Sequence, residues 1–155
     1  MSATELKRLA QFSAAVREST LKRLRAVPEN LENWRIAPDA MSFADIAGHL
    51  IDADQWLFKK IEIKNLKPIL GRAGAVHIEN RTQYLNLLDK LDEIGKRREE
   101  FILSLREKKL SEKIYDSRFG GEVTVWWIIV RGNLDHEIHH RGQVAAYLRT
   151  IMMIM

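Results

Sequence analysis

Four stretches of this chain repeat apolar residues at steps of three and four. That spacing lines them up on one face of an α-helix and leaves little room for a sheet. In residues 4–25 the face is Leu6, Leu9, Phe12, Ser13, Val16, Thr20 and Leu24, and Pro28 follows to stop the helix. A connection over 27–41 carries Leu31, Trp34 and Ile36, which are expected to tuck against the bundle end. The second helix opens at Ser42, with Asp45 three residues on in near capping-box spacing. Its stripe is Phe43, Ile46, Leu50, Ala53, Leu57 and Ile61, ending near Lys64. The third runs over 79–108 with Tyr84, Leu87, Leu88, Leu91, Ile94, Phe101, Ile102 and Leu105 in register, and the fourth over 124–149. Residues 65–77 read as a loop from their Pro and two Gly, and 111–123 as a polar break with the spacing of a short hairpin. The 155 residues hold only 8 Gly and 3 Pro, too few turn residues for a sandwich or barrel. The expected architecture is all-α, a four-helix bundle forming one domain over 1–155.

Composition narrows the chemistry. Cysteine is absent, which removes disulfides, thiolate-bound zinc and a protein thiolate nucleophile. No apolar run approaches the roughly 20 residues of a membrane span, so no membrane partner and a cytoplasmic location are expected. The net charge of +4 is mild, and the cationic runs, "KRREE" at 96–100 and "REKK" at 106–109, are mixed with Glu. Such runs read as solvated helix faces, and no nucleic-acid partner is expected.

The segment "HEIHHRGQ" at 136–143 holds three of the five histidines. On a helix His136 and His140 are one turn apart, about 40° from each other around the axis, and can converge on one cation. Trp126, Ile129, Val130, Val144, Tyr147 and Leu148 mark the core side of this helix. That side favours His140 with His136 and leaves His139 toward solvent. A third ligand must come from another helix, and His49, at the edge of the second helix's stripe, is the candidate. Asp45 and Asp52 flank it, each able to orient an imidazole or to serve as a fourth ligand. His77, in a Gly-rich loop, receives no role. Glu137 and Arg141 are spaced for an ion pair along the helix, Gln143 lies on the histidine side, and Trp56 either walls the cavity or fills the core.

"FADIAGHLIDADQWLF" and, some 80 residues on, "LDHEIHHRGQVAAYLR" resemble the DinB-like superfamily, and the resemblance extends over the whole chain. It implies an up-down-down-up bundle, often dimeric. It also implies a divalent metal, nickel or zinc, on three histidines, which map onto His49, His136 and His140. Related members use low-molecular-weight thiols in S-transfer or isomerisation, which suggests a thiol cosubstrate, a small-molecule substrate and a stress-response setting. The closing "RTIMMIM" departs from the expected pattern and reads as a surface for a homodimer partner, joined by Trp127, Leu134, Ile138 and Ala145 on the last helix. Three functions are open at this stage: a metal-dependent S-transferase; a metal-assisted hydrolase with Asp45, Asp52 or Glu137 as base; and a non-enzymatic ligand-binding protein.

Overall fold

In the computed structural model, which describes residues 2–155 with side chains from residue 5 onward, the predicted helices are present. They are α1 (Ser2–Arg25), α2 (Phe43–Ile63), α3 (Arg81–Ser104), a single turn α4 (Glu107–Leu110), and a last helix in three parts. Those parts are α5 (Val125–Trp127), a wide π segment (Ile128–Leu134) and α6 (Asp135–Ile154). Between α4 and α5 lies the hairpin, β1 (Lys113–Asp116) antiparallel to β2 (Gly121–Thr124), with Lys113 opposite Thr124. Its turn passes through Gly120 at φ 76°, a left-handed conformation that a residue without Cβ adopts freely.

Local chemistry sets the ends. Ser42 accepts from the Asp45 backbone N–H while the Asp45 carboxylate accepts from the Ser42 N–H, a complete capping box. Asn80 caps α3 by accepting from Gln83 N–H, so the helix begins two residues later than the apolar pattern suggests. It also ends earlier, because Leu105 turns to extended geometry and packs its side chain into the core beneath the hairpin.

Contacts between helices give the directions. Tyr84 Oη donates to Leu24 O at 2.7 Å and Arg98 Nε to Ser13 Oγ at 2.7 Å, so the start of α3 meets the end of α1. Phe43, at the start of α2, meets Tyr147, near the end of α6, with ring centroids 5.5 Å apart. Leu24, Phe43, Tyr84 and Tyr147 share one apolar cluster. α1 therefore runs up, α2 and α3 down, and α6 up. Because α2 and α3 are parallel, the chain must travel back the length of the bundle between them, and residues 64–80 make that crossing.

The core comes in two clusters. One holds Leu21, Leu24, Phe43, Leu50, Tyr84, Leu91, Ile94 and Val144. The other holds Leu6, Leu9, Trp56, Leu57, Ile102, Val125, Ile129 and Leu134. Each main helix carries one charged residue at the junction of the two: Arg17, Asp54, Arg98 and Glu137. Arg17 Nε and Nη2 donate to Glu137 at 3.0 and 2.7 Å, and Nη2 also donates to Asp54 at 2.7 Å. Arg98 Nη1 donates to Glu137 at 2.6 Å and to Asp54 at 3.0 Å. The two cations and two carboxylates neutralise each other, as such depth requires.

Three expectations are corrected here. Arg98, inside the run read as a solvated face, is fully buried. Glu137 pairs with Arg17 and Arg98, not with Arg141, because it points into the bundle. Phe12 is 46% exposed, since Ser13 and Arg17 occupy the inward phase of α1.

The π segment produces a fourth correction. Asp135 N–H bonds to Val130 O, a five-residue step that widens the turn and shifts the helix face. Upstream of it Val125 is buried and Trp126 is 38% exposed, the reverse of an uninterrupted α-helical phase. Within it Leu134 turns into the core, so it does not belong to the proposed dimer surface.

Candidate metal centre

The three histidines singled out from the sequence come together. His49 Nε2 lies 3.0 Å from His136 Nε2, and His140 Nε2 lies 3.0 Å from the same atom. One ligand atom from each lies within 4.8 Å of those of the other two. His49 is supplied by α2, whose start is fixed by the Ser42 box. His136 and His140 are successive turns of α6, and the buried ties of Glu137 to α1 and α3 hold that helix in rotation between them.

The donor set has its own logic. Burial, then the mutual repulsion of the rings and of Arg118, holds His136 down at about 3. Burial also lowers His140 to about 4, against the upward pull of its hydrogen bond with Gln143. His49 is lowered by burial too. All three are neutral near pH 7, the form that ligates metals. His140 Nδ1 faces Gln143 Oε1 at 2.7 Å, so Nδ1 carries the proton and Nε2 presents a lone pair. His136 Nε2 faces two such nitrogens and can donate to only one. A cation shared by all three satisfies every lone pair. Two nitrogens each 2.0–2.1 Å from one cation, at 90–109°, lie roughly 2.9–3.4 Å apart, and the observed 3.0 Å falls in that range. The residues fit a divalent ion held by neutral imidazoles.

The flanking carboxylates do other work. Asp45 accepts from the N–H groups of Ser42, Gly74 and Val76 at 2.8–2.9 Å and lies 3.4 Å from Arg35. Burial raises its carboxyl, but these bonds more than offset that and hold it below the usual carboxylate range. It pins the crossing segment, and its carboxylate bonds go to Ser42, Gly74, Val76 and Arg35 rather than to the His49 ring. Asp52 is exposed and stands outside the cluster. His139 is exposed at the rim, and His77 is exposed on the crossing segment.

A pocket of about 410 Å³ opens over the imidazoles. Its wall includes Met41, Trp56, Ile69, Leu70, Arg118 and Gly132. Trp56 is both core and wall: it is 5% exposed, and its Nε1 donates to Lys67 O at 2.7 Å, anchoring the crossing segment. Lys60, buried one turn on, donates to Leu66 O and to Tyr115 O, joining that segment to the hairpin. Gly71 lies so close that a Cβ there would stand 2.6 Å from Met41 Sδ and 3.2 Å from His49 Cγ. Sequence reasoning missed Lys60 and Arg118. Lys60 sits one position before Ile61 on the inner side of α2, which was a usable signal; Arg118 lies in a turn, where periodicity says nothing. A larger cleft of about 620 Å³, at residues 104–112, holds no histidine.

A family model described as the DinB superfamily matches residues 14–144. Among solved structures, the crystal structure of the DinB-like protein YjoA from Bacillus subtilis superposes with a TM-score of 0.60 at 18% identity, over 93% of this chain and 91% of that one. At that identity the likeness is one of fold. Comparison with curated proteins returns no match.

Proposed function

The chain belongs to the DinB superfamily, and from that premise we propose that it is a divalent-metal-dependent enzyme acting on a small molecule in the cytoplasm. The ligands are His49, His136 and His140, with nickel or zinc as the cation. The observation that carries this reading is the meeting of three neutral imidazoles from two helices, His49 and His140 buried and His136 half-buried, with ligand atoms within 4.8 Å of one another. Three protein ligands leave coordination positions open, the pattern of catalytic rather than structural sites. When bound, the cation polarises a substrate oxygen or lowers the pKa of a coordinated thiol or water. With no cysteine in the chain, a thiol comes from a low-molecular-weight cosubstrate, and the reaction we favour is S-transfer to a small electrophile.

The protein's own residues prepare the ground for that chemistry. Gln143 holds His140 in the tautomer that points Nε2 inward. Met41, Ile69 and Leu70 shed water from the pocket wall. Hydrolysis is the weaker reading, because Asp45 and Glu137 are spent on structural bonds and only the exposed Asp52 is left as a base. We take residues 1–155 to act as one domain and to pair as a homodimer through the apolar tail, where Met152, Met153, Ile154 and Met155 are 63–83% exposed.

The test is elemental analysis of protein prepared without an affinity tag, wild type beside His140→Ala, followed by a screen of thiol–electrophile pairs. Near-stoichiometric metal in the wild type and little in the variant is expected. Equal metal content in the two would refute the ligand set, and turnover that needs no thiol would refute the S-transfer reading.

A further inference from the structure

Among the described residues lining the histidine pocket, Arg118 is the one formal charge at neutral pH, and none of them is acidic. Its guanidinium is held in place. Nε and Nη2 donate to the Asp116 carboxylate at 3.1 and 2.8 Å, and Nη1 to Gly132 O at 3.2 Å. Its Cζ lies 4.6 Å over the ring of Trp56. These bonds use three of the five N–H donors of an arginine and leave one on each Nη. The side chain keeps 30% of its surface open.

The local charge does not cancel. Asp116 offsets Arg118, but Lys60 Nζ also lies 5.8 Å from the Trp56 ring centroid and bonds only to backbone carbonyls. The trio carries a net charge of +1. Three neutral imidazoles bring no negative charge to a divalent ion, so a loaded site is more cationic still. Leu70, in the same pocket lining, is 88% exposed.

We propose that the pocket takes a substrate bearing a carboxylate. The two spare N–H groups of Arg118 hold that group, the reacting end lies at the imidazoles, and the apolar body rests on Ile69 and Leu70. A planar guanidinium with paired donors matches a carboxylate better than a point charge does. This assignment rests on the metal-centre reading above and names the class of molecule that centre acts on. Arg118 is then a specificity determinant of the site.

The test titrates the full-length, cobalt(II)-loaded protein at low salt with dicarboxylates from malonate to glutarate, each beside the monocarboxylate of equal chain length. Binding is read by the visible cobalt spectrum and by calorimetry. In wild type the dicarboxylate of fitting length binds about tenfold tighter than its partner, the scale of one charge-assisted contact. Arg118→Met removes that advantage and leaves cobalt stoichiometry unchanged; Arg118→Lys restores part of it. Gly132→Ala is the second variant, because its Cβ would stand 2.8 Å from Arg118 Nη2 and displace the guanidinium without altering its charge. It too loses the advantage. Equal affinities in wild type, or an advantage that persists in both Arg118→Met and Gly132→Ala, overturns the carboxylate contact alone. Failure of the wild type to bind cobalt overturns the metal centre, and this assignment with it.

Discussion

Replacing Arg98 by methionine tests whether the bundle depends on its central charges. Arg98 is 0% exposed, and its partners Asp54 and Glu137 are each 1% exposed. The substitution removes the 2.6 Å bond to Glu137 and the 3.0 Å bond to Asp54, and leaves two buried carboxylates to share Arg17. Breaking one side of a buried ion network costs about 3–5 kcal/mol, because a charge is stranded. That is a large part of the roughly 5–15 kcal/mol that holds a typical domain together. At this chain length each kcal/mol moves the midpoint by about 2–4 °C, so a drop of roughly 6–20 °C is expected. The assay is thermal and urea unfolding followed by circular dichroism, at pH 8 and pH 5. In wild type, burial raises the Glu137 carboxyl, but Arg98 and Arg17 outweigh it and hold it at about 2 against an ordinary 4.5. A depressed carboxylate stabilises above its unfolded value, and that contribution is lost as pH falls from 4.5 toward 2. In the variant Glu137 loses one of the two cations that hold it down, so it is protonated at a higher pH than in wild type and the gap between the two narrows as pH falls. Adding Asp54→Asn restores charge balance and recovers part of the loss. A cost below about 1 kcal/mol, typical of an exposed charge, or a gap equal at both pH values, would refute the reasoning.

Two further outcomes follow from the same coordinates. Gly48→Ala, mid-helix, gains about 1 kcal/mol of helix propensity, yet its Cβ would stand 2.6 Å from Val76 Cγ2; a net loss of about 1–2 kcal/mol is expected, and a raised melting midpoint would contradict the close approach. In metal-free protein, His136 and His140 titrate at about 3 and 4, below their ordinary 6.5, so the unfolded chain takes protons that the folded chain refuses. Stability is then full above pH 6.5 and declines toward pH 4.5; urea midpoints that stay level across that window would count against imidazoles kept uncharged by the fold.

Periodicity and capping chemistry carried much of the fold, because both are local. Ser42 with Asp45, the stripe from Phe43 to Ile61, and the one-turn spacing of His136 and His140 need no knowledge of the rest of the chain. The central charges were hidden by composition rather than by pattern. Arg98 lies in step with Leu91, Ile94 and Ile102, and Asp54 in step with Leu50, Leu57 and Ile61, so their phase pointed inward while their charge suggested solvent. A charged residue on an apolar stripe was the signal, and its partner on another helix was the missing information. The π segment could not be foreseen, because residues 125–130 are apolar throughout and hide the phase shift that decides whether Trp126 or Val125 faces the core. Arg118 depended on how the hairpin folds back over Trp56, a tertiary fact.

Parallel neighbours force a return journey, and here the returning chain becomes the roof of the histidine pocket. The crossing is stapled at one end by Lys60 and Trp56 to Leu66 and Lys67, and at the other by Asp45 to Gly74 and Val76. Residues 68–73 span the gap, with Gly71 pressed against His49. Pro68, Ile69, Leu70 and Gly71 thus form one wall of the histidine pocket, and swapping that short span would reshape the pocket with the bundle beneath left untouched.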